Sequence, residues 1–303
     1  MKQKANGTPA AGLSNRLLTL LAALLFLAGG ILVLYPSAAS WFAQYNQSKV
    51  VARGVPDPDR VKAADQAVQL AAAERYNGLL QSGASYKAGG NLPTSQAGSF
   101  LHDAYAGVLD AGRGLMGRLQ IPSIDVDLPV YHGTSDDTLL KGAGHLEGTS
   151  LPVGGAGTHA VITAHRGLAK ATMFTNLDRM GRGDRFTFST FGRVMTYEVV
   201  QVQVVDPDQT RGLGPVEGED LMTLVTCTPL GINSQRIFVT GRRVVPTPDD
   251  DRKAASQVSD LPHFPWWALI LTTLVSAVAA RICLAFQPGQ EVRRHCTDRK
   301  LRT

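Results

Sequence analysis

The chain has 303 residues, of which 44% are hydrophobic and 18% are charged. This composition excludes a disordered or collagen-like protein and allows one domain of ordinary size together with membrane segments. The formal net charge of +5 is modest and comes largely from the two ends of the chain, so it does not indicate a nucleic-acid-binding surface.

Two apolar runs, residues 17–35 and 265–286, predict transmembrane helices. The first carries no charge, the second is interrupted only by Arg281, and each can cross a hydrocarbon layer of about 30 Å as a helix. A cleaved signal peptide is the alternative for the first run. Its apolar length exceeds the roughly 7 to 15 residues of such a region, and Leu34, Tyr35 and Pro36 are poor cleavage-site residues.

Basic residues at the two ends of the chain predict the orientation. Lys2, Lys4 and Arg16 precede the first run, and several Lys and Arg residues follow the second. Positively charged flanks stay in the cytoplasm. We therefore expect a cell-membrane protein with two spans, cytoplasmic tails at residues 1–16 and 287–303, and an extracellular part between the spans.

The first extracellular segment, residues 36–112, is predicted to be largely helical. Apolar residues at three-to-four spacing indicate a helix over residues 57–81, with Asp57 as its cap and Pro58 at its first position. Residues 82–99 are rich in Gly and Ser and predict a long loop, and a short helix is expected at about residues 100–110.

Short runs of β-branched and aromatic residues, divided by Gly, Pro and Asp, follow this segment. They predict strands at residues 117–121, 126–131, 159–164, 185–190, 194–205, 220–226 and 236–245. So many short strands indicate a closed barrel or a sandwich over residues 113–245. One helix is expected inside this region, at residues 169–180, and residues 246–264 are expected to be a polar linker back to the membrane.

A single cysteine, Cys227, lies in the predicted extracellular part, because Cys283 falls in the second span and Cys296 in the inner tail. Such an unpaired cysteine is either a small buried hydrophobe or a reactive thiol. Cys227 ends one predicted strand and Arg236 begins the next, so neighbouring strands would place a cation beside the thiol. A nearby guanidinium favours the thiolate and can stabilise an oxyanion.

Thiolate chemistry also requires a proton carrier, normally a histidine. His165 ends an apolar strand, so its ring can stand at a barrel rim rather than in the core. His132 and His145 lie in turn-rich segments, where a histidine more often holds a loop by hydrogen bonds, and the other four are expected to be bystanders. From the residues alone, Cys227, His165 and Arg236 form either a catalytic set or a structural arrangement.

Several stretches of the sequence resemble those of a known family. TLVTC, which ends at Cys227, resembles the TLxTC signature of sortases, the arginine nine positions later fits their pattern, and TAHRG resembles the segment that bears their histidine. LPVYHGT, GHLEGTSLPVGG and TCTPLGINSQRIFVTGRR resemble the class C branch, which polymerises pilins in Gram-positive bacteria. The resemblance runs from about residue 76 to residue 244 and includes the two-span topology.

The resemblance implies a membrane-anchored cysteine transpeptidase whose fold is mainly β, a closed eight-stranded barrel with a few short helices. Cys227 would be the nucleophile, His165 the acid and then the base, and Arg236 the group that orients the substrate and stabilises the oxyanion. The implied substrate is an LPxTG-like sorting signal on a pilin or surface protein. It would be cleaved between Thr and Gly through a thioester and joined to a pilin lysine.

The loop at residues 82–99 departs from the class C pattern. Class C enzymes usually cover their cleft with a lid that bears an Asp-Pro-aromatic triplet, and this stretch contains no such triplet. It offers instead Tyr86 and Leu92, the latter in an LPTS stretch that faintly resembles the sorting signal. The loop is therefore either an ordinary Gly/Ser loop or a lid with Tyr86 or Leu92 as its plug.

Other polar residues carry weaker predictions. Thr226 is expected to shape the path of the substrate backbone or to be an ordinary β-branched strand residue. Asp125, Asp127, Asp136 and Asp137 suggest a cation site but fit solvated turns equally well, since no EF-hand spacing occurs. The sequence also contains no phosphate loop, nucleotide fingerprint or zinc-ligand spacing, so we expect neither a metal nor a cofactor.

Three other functions stay open at this point. A housekeeping sortase would pass the acyl group to an amine of a cell-wall precursor, and a hydrolytic cysteine protease would pass it to water. A membrane-held adhesion or pilus-base module would use Cys227 only as part of its structure. The preferred acceptor distinguishes the enzymes, and Cys227→Ala distinguishes all of them from the structural module.

Overall fold

The structure, a computed structural model, describes residues 9–54, 63–81, 104–209 and 211–286. The chain divides into two compact units, one made of residues 1–38 and 264–303 and the other of Ala39–His263. The helices are α1 (Pro9–Gly54), α2 (Ala63–Gln81), α3 (Asp136–Leu139), α4 (Asp249–Ser256) and α5 (Trp266–Phe286).

Helices α1 and α5 carry the two apolar runs. Both are long and apolar enough to cross a membrane, judged by length and composition. Their large hydrophobic side chains are mostly exposed, for example Leu24, Phe26 and Leu32 in α1 and Ile270 in α5. Exposed apolar side chains along a whole helix are expected where the surrounding medium is lipid.

The described part of unit Ala39–His263 contains a closed barrel of eight strands in the order β1-β2-β3-β4-β7-β8-β6-β5. The strands are β1 (Leu115–Ile121), β2 (Val126–His132), β3 (Ala143–His145), β4 (Thr158–Thr163), β5 (Arg185–Thr190), β6 (Arg193–Val205), β7 (Asp220–Thr228) and β8 (Gln235–Val244). The predicted eight-stranded barrel is confirmed.

Two strand pairs in this barrel are parallel, β2 with β3 and β4 with β7. The others are antiparallel. In the β4–β7 pair the register runs from Thr158 opposite Asp220 to Thr163 opposite Val225. Because parallel strands end at the same edge of a sheet, the segments that follow β4 and β7 emerge side by side.

The barrel interior is filled by apolar side chains that alternate along each strand with outward-facing ones. Phe186, Phe188 and Tyr197 are among the largest, and each is almost completely buried. Full burial of such a side chain contributes about 1.5–3 kcal/mol relative to exposure. The closed barrel leaves no exposed sheet edge and gives its end loops a rigid base.

A second apolar cluster packs α2 against the outside of the barrel. Ala73 and Tyr76 of α2 contact Leu109, Met116 and Leu151 in this cluster. The helix begins at Ala63 among the described residues, and its predicted capping residues, Asp57 and Pro58, lie outside them.

Helix α4 forms within the predicted linker after the barrel and docks on the barrel. The Arg118 guanidinium makes a bidentate pair with Asp127, with distances of 2.7 and 2.6 Å. Its remaining nitrogen donates to the carbonyls of Ala255 and Gln257 at 3.0 and 2.8 Å. These bonds hold the C-terminal end of α4 on β1 and β2.

The seven predicted strands match the observed ones to within two residues at either end, and β3 was not predicted. The predicted helix at residues 169–180 is wrong, since only the 3₁₀ turn Leu177–Arg179 forms there. Of the helix expected at residues 100–110, residues 100–103 lie outside the described part, Ala104 and Tyr105 are helical, and a turn and a bend follow. The loop at residues 82–99, with Tyr86 and Leu92, also lies outside the described residues.

Candidate active site

The antiparallel pairing of β7 and β8 places Cys227 directly opposite Arg236. Both side chains are half-buried. Cys227 lies one residue before the end of β7, and Arg236 is the second residue of β8, so the pair stands at the mouth of the connecting loop. Side chains directly opposite in an antiparallel pair have Cβ atoms about 4.5–5.5 Å apart.

Alternation along these strands decides which face the pair occupies. Leu224 on β7 and Ile237 on β8 belong to the barrel core. Cys227 and Arg236 lie at the opposite parity and therefore project outward. On the same outer face, Val161, Leu213 and Phe238, with Leu146, Val205 and Val225 packed against them, form a separate cluster that we call the outer apolar patch.

His165 reaches the same place from β4. The pairing of β4 with β7 continues past the end of β4, because the Ala164 N–H donates to the Val225 carbonyl at 3.2 Å and the Thr226 hydroxyl donates to the Ala164 carbonyl at 2.8 Å. The next residue, His165, therefore comes level with Cys227. Ala164 belongs to the core, so His165 projects outward, on the face that carries Cys227 and Arg236.

The segment after His165 folds back on itself instead of forming a helix. The Phe174 N–H donates to the His165 carbonyl at 3.0 Å, and the Gly167 N–H donates to the Thr175 hydroxyl at 3.1 Å. Met173 has a φ of 40°, which a helix does not allow. The backbone of His165 is thus fixed while its ring, among the described residues, has no hydrogen-bond partner.

Arg236 hydrogen-bonds its own loop. One guanidinium nitrogen donates to the carbonyls of Asn233 and Gln235, each at 2.9 Å. In the described part of the chain Arg236 has no carboxylate partner within ion-pair distance. Its positive charge is therefore available to an anion that forms on the Cys227 side of the pair.

Thr226 does not line the outer face. Its side chain is fully buried on the core side, and its hydroxyl is committed to the Ala164 carbonyl. Through this bond it joins the end of β4 to the end of β7. A contact between Thr226 and a substrate backbone stays a prediction, and this geometry restricts the contact to the backbone of Thr226.

The ring nitrogens of two other histidines of the barrel, His159 and His132, are hydrogen-bonded to groups of the protein. Both nitrogens of His159 are engaged, with the Gly214 carbonyl at 2.8 Å and the Thr223 hydroxyl at 2.7 Å. Burial lowers the pKa of the His159 imidazole below its ordinary value. His132 contacts the carbonyls of Gly114 and Val108. As expected for His132, these rings hold loops and strands in place.

The four aspartates considered as a cation site are separated by the fold. Asp127 pairs with Arg118, Asp136 and Asp137 lie in the first turn of α3, and Asp125 lies 3.6 Å from His263. Among the described residues no group of three His, Cys, Asp or Glu is placed to hold a metal ion.

Sequence reasoning missed one residue at this site, Arg166. Its buried side chain bonds to Thr175 and to Thr228, the residue after Cys227, and pairs with Asp178. Its position directly after the predicted histidine was visible in the sequence, but its partners were not.

Comparison with known proteins identifies the family to which the barrel is similar. A family model described as "Sortase domain" matches residues 119–244. Sortase C-1 from Actinomyces oris is 47% identical, with a TM-score of 0.54, over 59% of this chain and 98% of that one. The sortase C of Streptococcus pneumoniae is 36% identical, with a TM-score of 0.57, over 66% of this chain and 98% of that one.

A curated relative, sortase D from Bacillus subtilis, is 30% identical over 131 residues. The match covers 42% of this chain and 63% of the relative's length. The chain thus spans less than two thirds of this relative, whereas it spans nearly the whole length of the two solved structures.

Proposed function

Because the chain belongs to the sortase family, we propose that it is a membrane-anchored cysteine transpeptidase that assembles covalent pili. It cleaves an LPxTG-like sorting signal between Thr and Gly, holds the acyl fragment as a thioester and joins it to the amine of a pilin lysine. The solved neighbours support the class, since two of them are sortases C, and the S. pneumoniae structure is described in terms of pilin substrate specificity.

One observation carries the proposal: three side chains with complementary chemistry converge on one outward face. Cys227 and Arg236 are cross-strand neighbours, and His165 follows from β4 in register with Cys227. A thiol, an imidazole and a guanidinium supply the nucleophile, the proton carrier and the oxyanion partner that acyl transfer needs.

In the first half-reaction, the Cys227 thiolate adds to the carbonyl carbon of the substrate threonine. The Arg236 guanidinium stabilises the negative oxygen of the tetrahedral intermediate. When the intermediate collapses, the C–N bond to glycine breaks, and the imidazolium of His165 gives its proton to the leaving amine. The products are a thioester on Cys227, a free glycine amine and a neutral His165.

In the second half-reaction, a neutral lysine amine adds to the thioester carbonyl. His165 takes the proton from the attacking nitrogen, the C–S bond breaks, and the thiolate and imidazolium return. An isopeptide bond joins the two pilin subunits. A thioester suits this role because it persists long enough for an amine to compete with water.

The outer apolar patch supports recognition of the signal. Val225 lies two residues before Cys227 on the same face of β7, and Phe238 lies two residues after Arg236 on the same face of β8. Val161, Leu213 and Phe238 are buried, so a peptide bound with its threonine at Cys227 and its chain running along these strands would set its leucine and proline over the partly exposed members of this patch, such as Val225.

The membrane arrangement and domain boundaries belong to the same proposal. Residues 17–35 and 265–286 would cross the membrane, both termini would be cytoplasmic, and the barrel at residues 113–245 would face the exterior, where sorting signals and pilins meet. Candidate spans in both helices support the anchoring. Reporter fusions at each terminus, with accessibility read on the two sides of the membrane, test the orientation.

The predicted lid is tested by a deletion. If residues 82–99 cover the cleft with Tyr86 or Leu92, removal of residues 84–97 increases the rate of peptide cleavage. An unchanged rate would discard the lid.

The decisive experiment measures intact mass after the full-length chain in detergent is mixed with a peptide that contains LPxTG. We expect an adduct of the acyl fragment on the wild type and on Cys283→Ala, a matched cysteine control, and none on Cys227→Ala. Adding a pilin domain, a cell-wall cross-bridge peptide or neither then identifies the acceptor. Discharge fastest to the pilin domain supports pilus assembly. Preference for the cross-bridge peptide indicates a housekeeping sortase, and preference for water a protease.

A further inference from the structure

Arg166 lies directly after His165, and its side chain is only 6% exposed. Every edge of its guanidinium is engaged. The Nε–H donates to the Thr175 carbonyl at 3.1 Å, Nη1 donates to the Thr228 hydroxyl at 2.8 Å, and Nη2 lies 2.5 Å from a carboxylate oxygen of Asp178. A planar guanidinium with three fixed partners has one orientation.

The bond to Thr228 connects two segments that are distant in sequence. Arg166 follows His165, and Thr228 follows Cys227, so one hydrogen bond joins the residues adjacent to the proposed proton carrier and the proposed nucleophile. Hydrogen bonds to a charged donor are shorter and stronger than neutral ones. The separation between the His165 segment and the end of β7 is therefore held by a charged donor that is itself anchored at Thr175 and Asp178.

A packing contact holds the same two segments on a second side. Gly167 has a φ of 74°, and a Cβ atom built there would lie 2.5 Å from a terminal carbon of Leu230. Leu230 belongs to the loop between β7 and β8. The close approach of this loop to Gly167, together with the Arg166–Thr228 bond, fixes the His165 segment against the Cys227 strand end.

We infer that Arg166 is a positioning residue, which holds the backbone that carries the His165 ring in a fixed place relative to the end of β7 and the Cys227 thiol. The inference rests on the proposed transpeptidase function. Arg166 does not contact the reacting atoms itself, because its donors are spent on protein partners and its charge is paired with Asp178. In this respect it differs from Arg236, which has no carboxylate partner among the described residues.

Substitutions at both ends of the bond test the inference on the full-length chain in detergent. Misplacement of a reacting group by about 1 Å can cost about 10²-fold in rate. Arg166→Met is expected to lower kcat for peptide cleavage by about that factor, with KM changed less than about twofold. Arg166→Lys keeps the charge but not the planar fork, so it restores only part of kcat.

Thr228→Val provides a second variant that keeps the fold, since it removes one hydroxyl and preserves the side-chain shape. It is expected to lower kcat by about tenfold alone and to add nothing when combined with Arg166→Met, because both changes break one bond. Arg185→Met, which removes an exposed ion pair with Glu198, is the matched control and leaves kcat unchanged. The inference would be overturned if the kcat losses of Arg166→Met and Thr228→Val multiplied fully in the double variant. It would also be overturned if the loss of kcat were explained by a lowered melting temperature alone.

A substrate-free readout separates this inference from the proposed function. The rate of Cys227 alkylation by iodoacetamide is measured against pH. Arg166→Met should move the wild-type profile towards that of His165→Ala, and should have no effect in the His165→Ala background. Positioning through His165 is contradicted if the alkylation profiles of Arg166→Met and the wild type superimpose. It is also contradicted if Arg166→Met changes the profile equally with and without His165→Ala. If the wild type forms no peptide adduct at all, the transpeptidase proposal fails while the alkylation profiles still decide the role of Arg166.

Discussion

Two histidine regions of the same barrel show how similar side chains receive different tasks. His145, in β3, is completely buried, with Nδ1 2.8 Å from the Tyr105 hydroxyl and Nε2 2.9 Å from the Ser150 carbonyl. The Ser150 carbonyl can only accept, so Nε2 carries a proton, and when the ring is neutral Nδ1 accepts from the Tyr105 hydroxyl. Burial lowers the pKa of His145 to about 4, so the ring stays neutral at physiological pH.

His165, one strand away, is half-buried at the end of β4. Its backbone carbonyl is bonded to Phe174, and its ring has no partner in the described part of the chain. A histidine that is bonded through both nitrogens has neither nitrogen free for proton transfer, whereas a histidine fixed only by its backbone keeps its ring available, as the proposed function requires of His165. Four predictions test this contrast, from the largest expected effect to the smallest.

The largest effect is expected from exchanging the two histidines for alanine. His165→Ala should lower kcat/KM for peptide cleavage by about 10²–10⁴-fold, because it removes the proposed general acid and base. Its melting temperature should stay close to that of the wild type. His145→Ala should leave the activity of the folded protein intact and lower the melting temperature, since it leaves the Tyr105 hydroxyl and the Ser150 carbonyl unpaired. The reverse pattern would break the comparison.

A pH-dependent stability loss is expected from His145. Its folded pKa, about 4, lies below its ordinary value of 6.5, so between these values the unfolded chain binds a proton that the folded chain does not. The contribution of His145 to the free energy of unfolding is therefore constant above pH 6.5. It falls by about 3 kcal/mol as the pH drops from 6.5 towards 4.

Hydrogen–deuterium exchange of the β3 and β4 amides at pH 7 and pH 4, corrected for intrinsic rates, reports this loss. His145→Gln should abolish the part of the stability loss between pH 7 and pH 4 that comes from His145. His263→Gln, at an exposed position, should leave this loss unchanged. An equal loss of stability between pH 7 and pH 4 in the wild type and in His145→Gln would show that the ring already takes up its proton in the folded state.

Asn77 supports the His145 region from α2 and gives a smaller effect. Its buried amide donates to the Leu151 carbonyl at 3.0 Å and accepts from the Leu151 N–H at 2.7 Å. Asn77→Ala leaves both backbone groups unpaired and should cost about 2 kcal/mol of unfolding free energy. Val68→Ala, on the exposed face of the same helix, should be silent in the same calorimetric measurement.

The smallest effect is expected at the surface. Arg185 and Glu198 form an ion pair at 3.1 Å with both side chains largely exposed. Water and salt screen such a pair, so Arg185→Ala should change the unfolding free energy by less than about 1 kcal/mol. A larger loss would mean that exposed contacts of β5 and β6 matter as much as the buried ones around His145.

Most of the barrel could be predicted from the sequence, because alternating apolar residues and β-branched residues identify long strands. Strand β3 was not predicted, because its three residues, Ala143–His145, are too few to show the alternation that identifies a strand. Met173, Leu177 and Met180 belong to the core and lie at the spacing of one helix face, although no helix forms there. The positive φ of Met173 and the bond from Phe174 to His165 override that local preference.

Helix α4 was missed because its composition is polar. Its first turn contains Asp249, Asp250 and Asp251, which favour a helix N-terminus, and its docking through Arg118 involves a partner far away in the chain. At the site, Cys227 and Arg236 could be predicted because a hairpin brings them together. The role of Arg166 could not, because it depends on pairing between strands that are not neighbours in sequence.

The parallel pairing of β4 and β7 also sets when the site comes into existence. Two hydrogen bonds beside this pairing, from Arg166 to Thr228 and from Thr226 to Ala164, each join residues that are 62 positions apart in the chain. Contacts of such long range form late, after their loop-closure entropy has been overcome. Until β7 pairs with β4 during folding, the Cys227 thiol therefore has no His165 beside it. Under the proposed function, only a fully folded barrel can therefore form the acyl-enzyme with the assistance of His165.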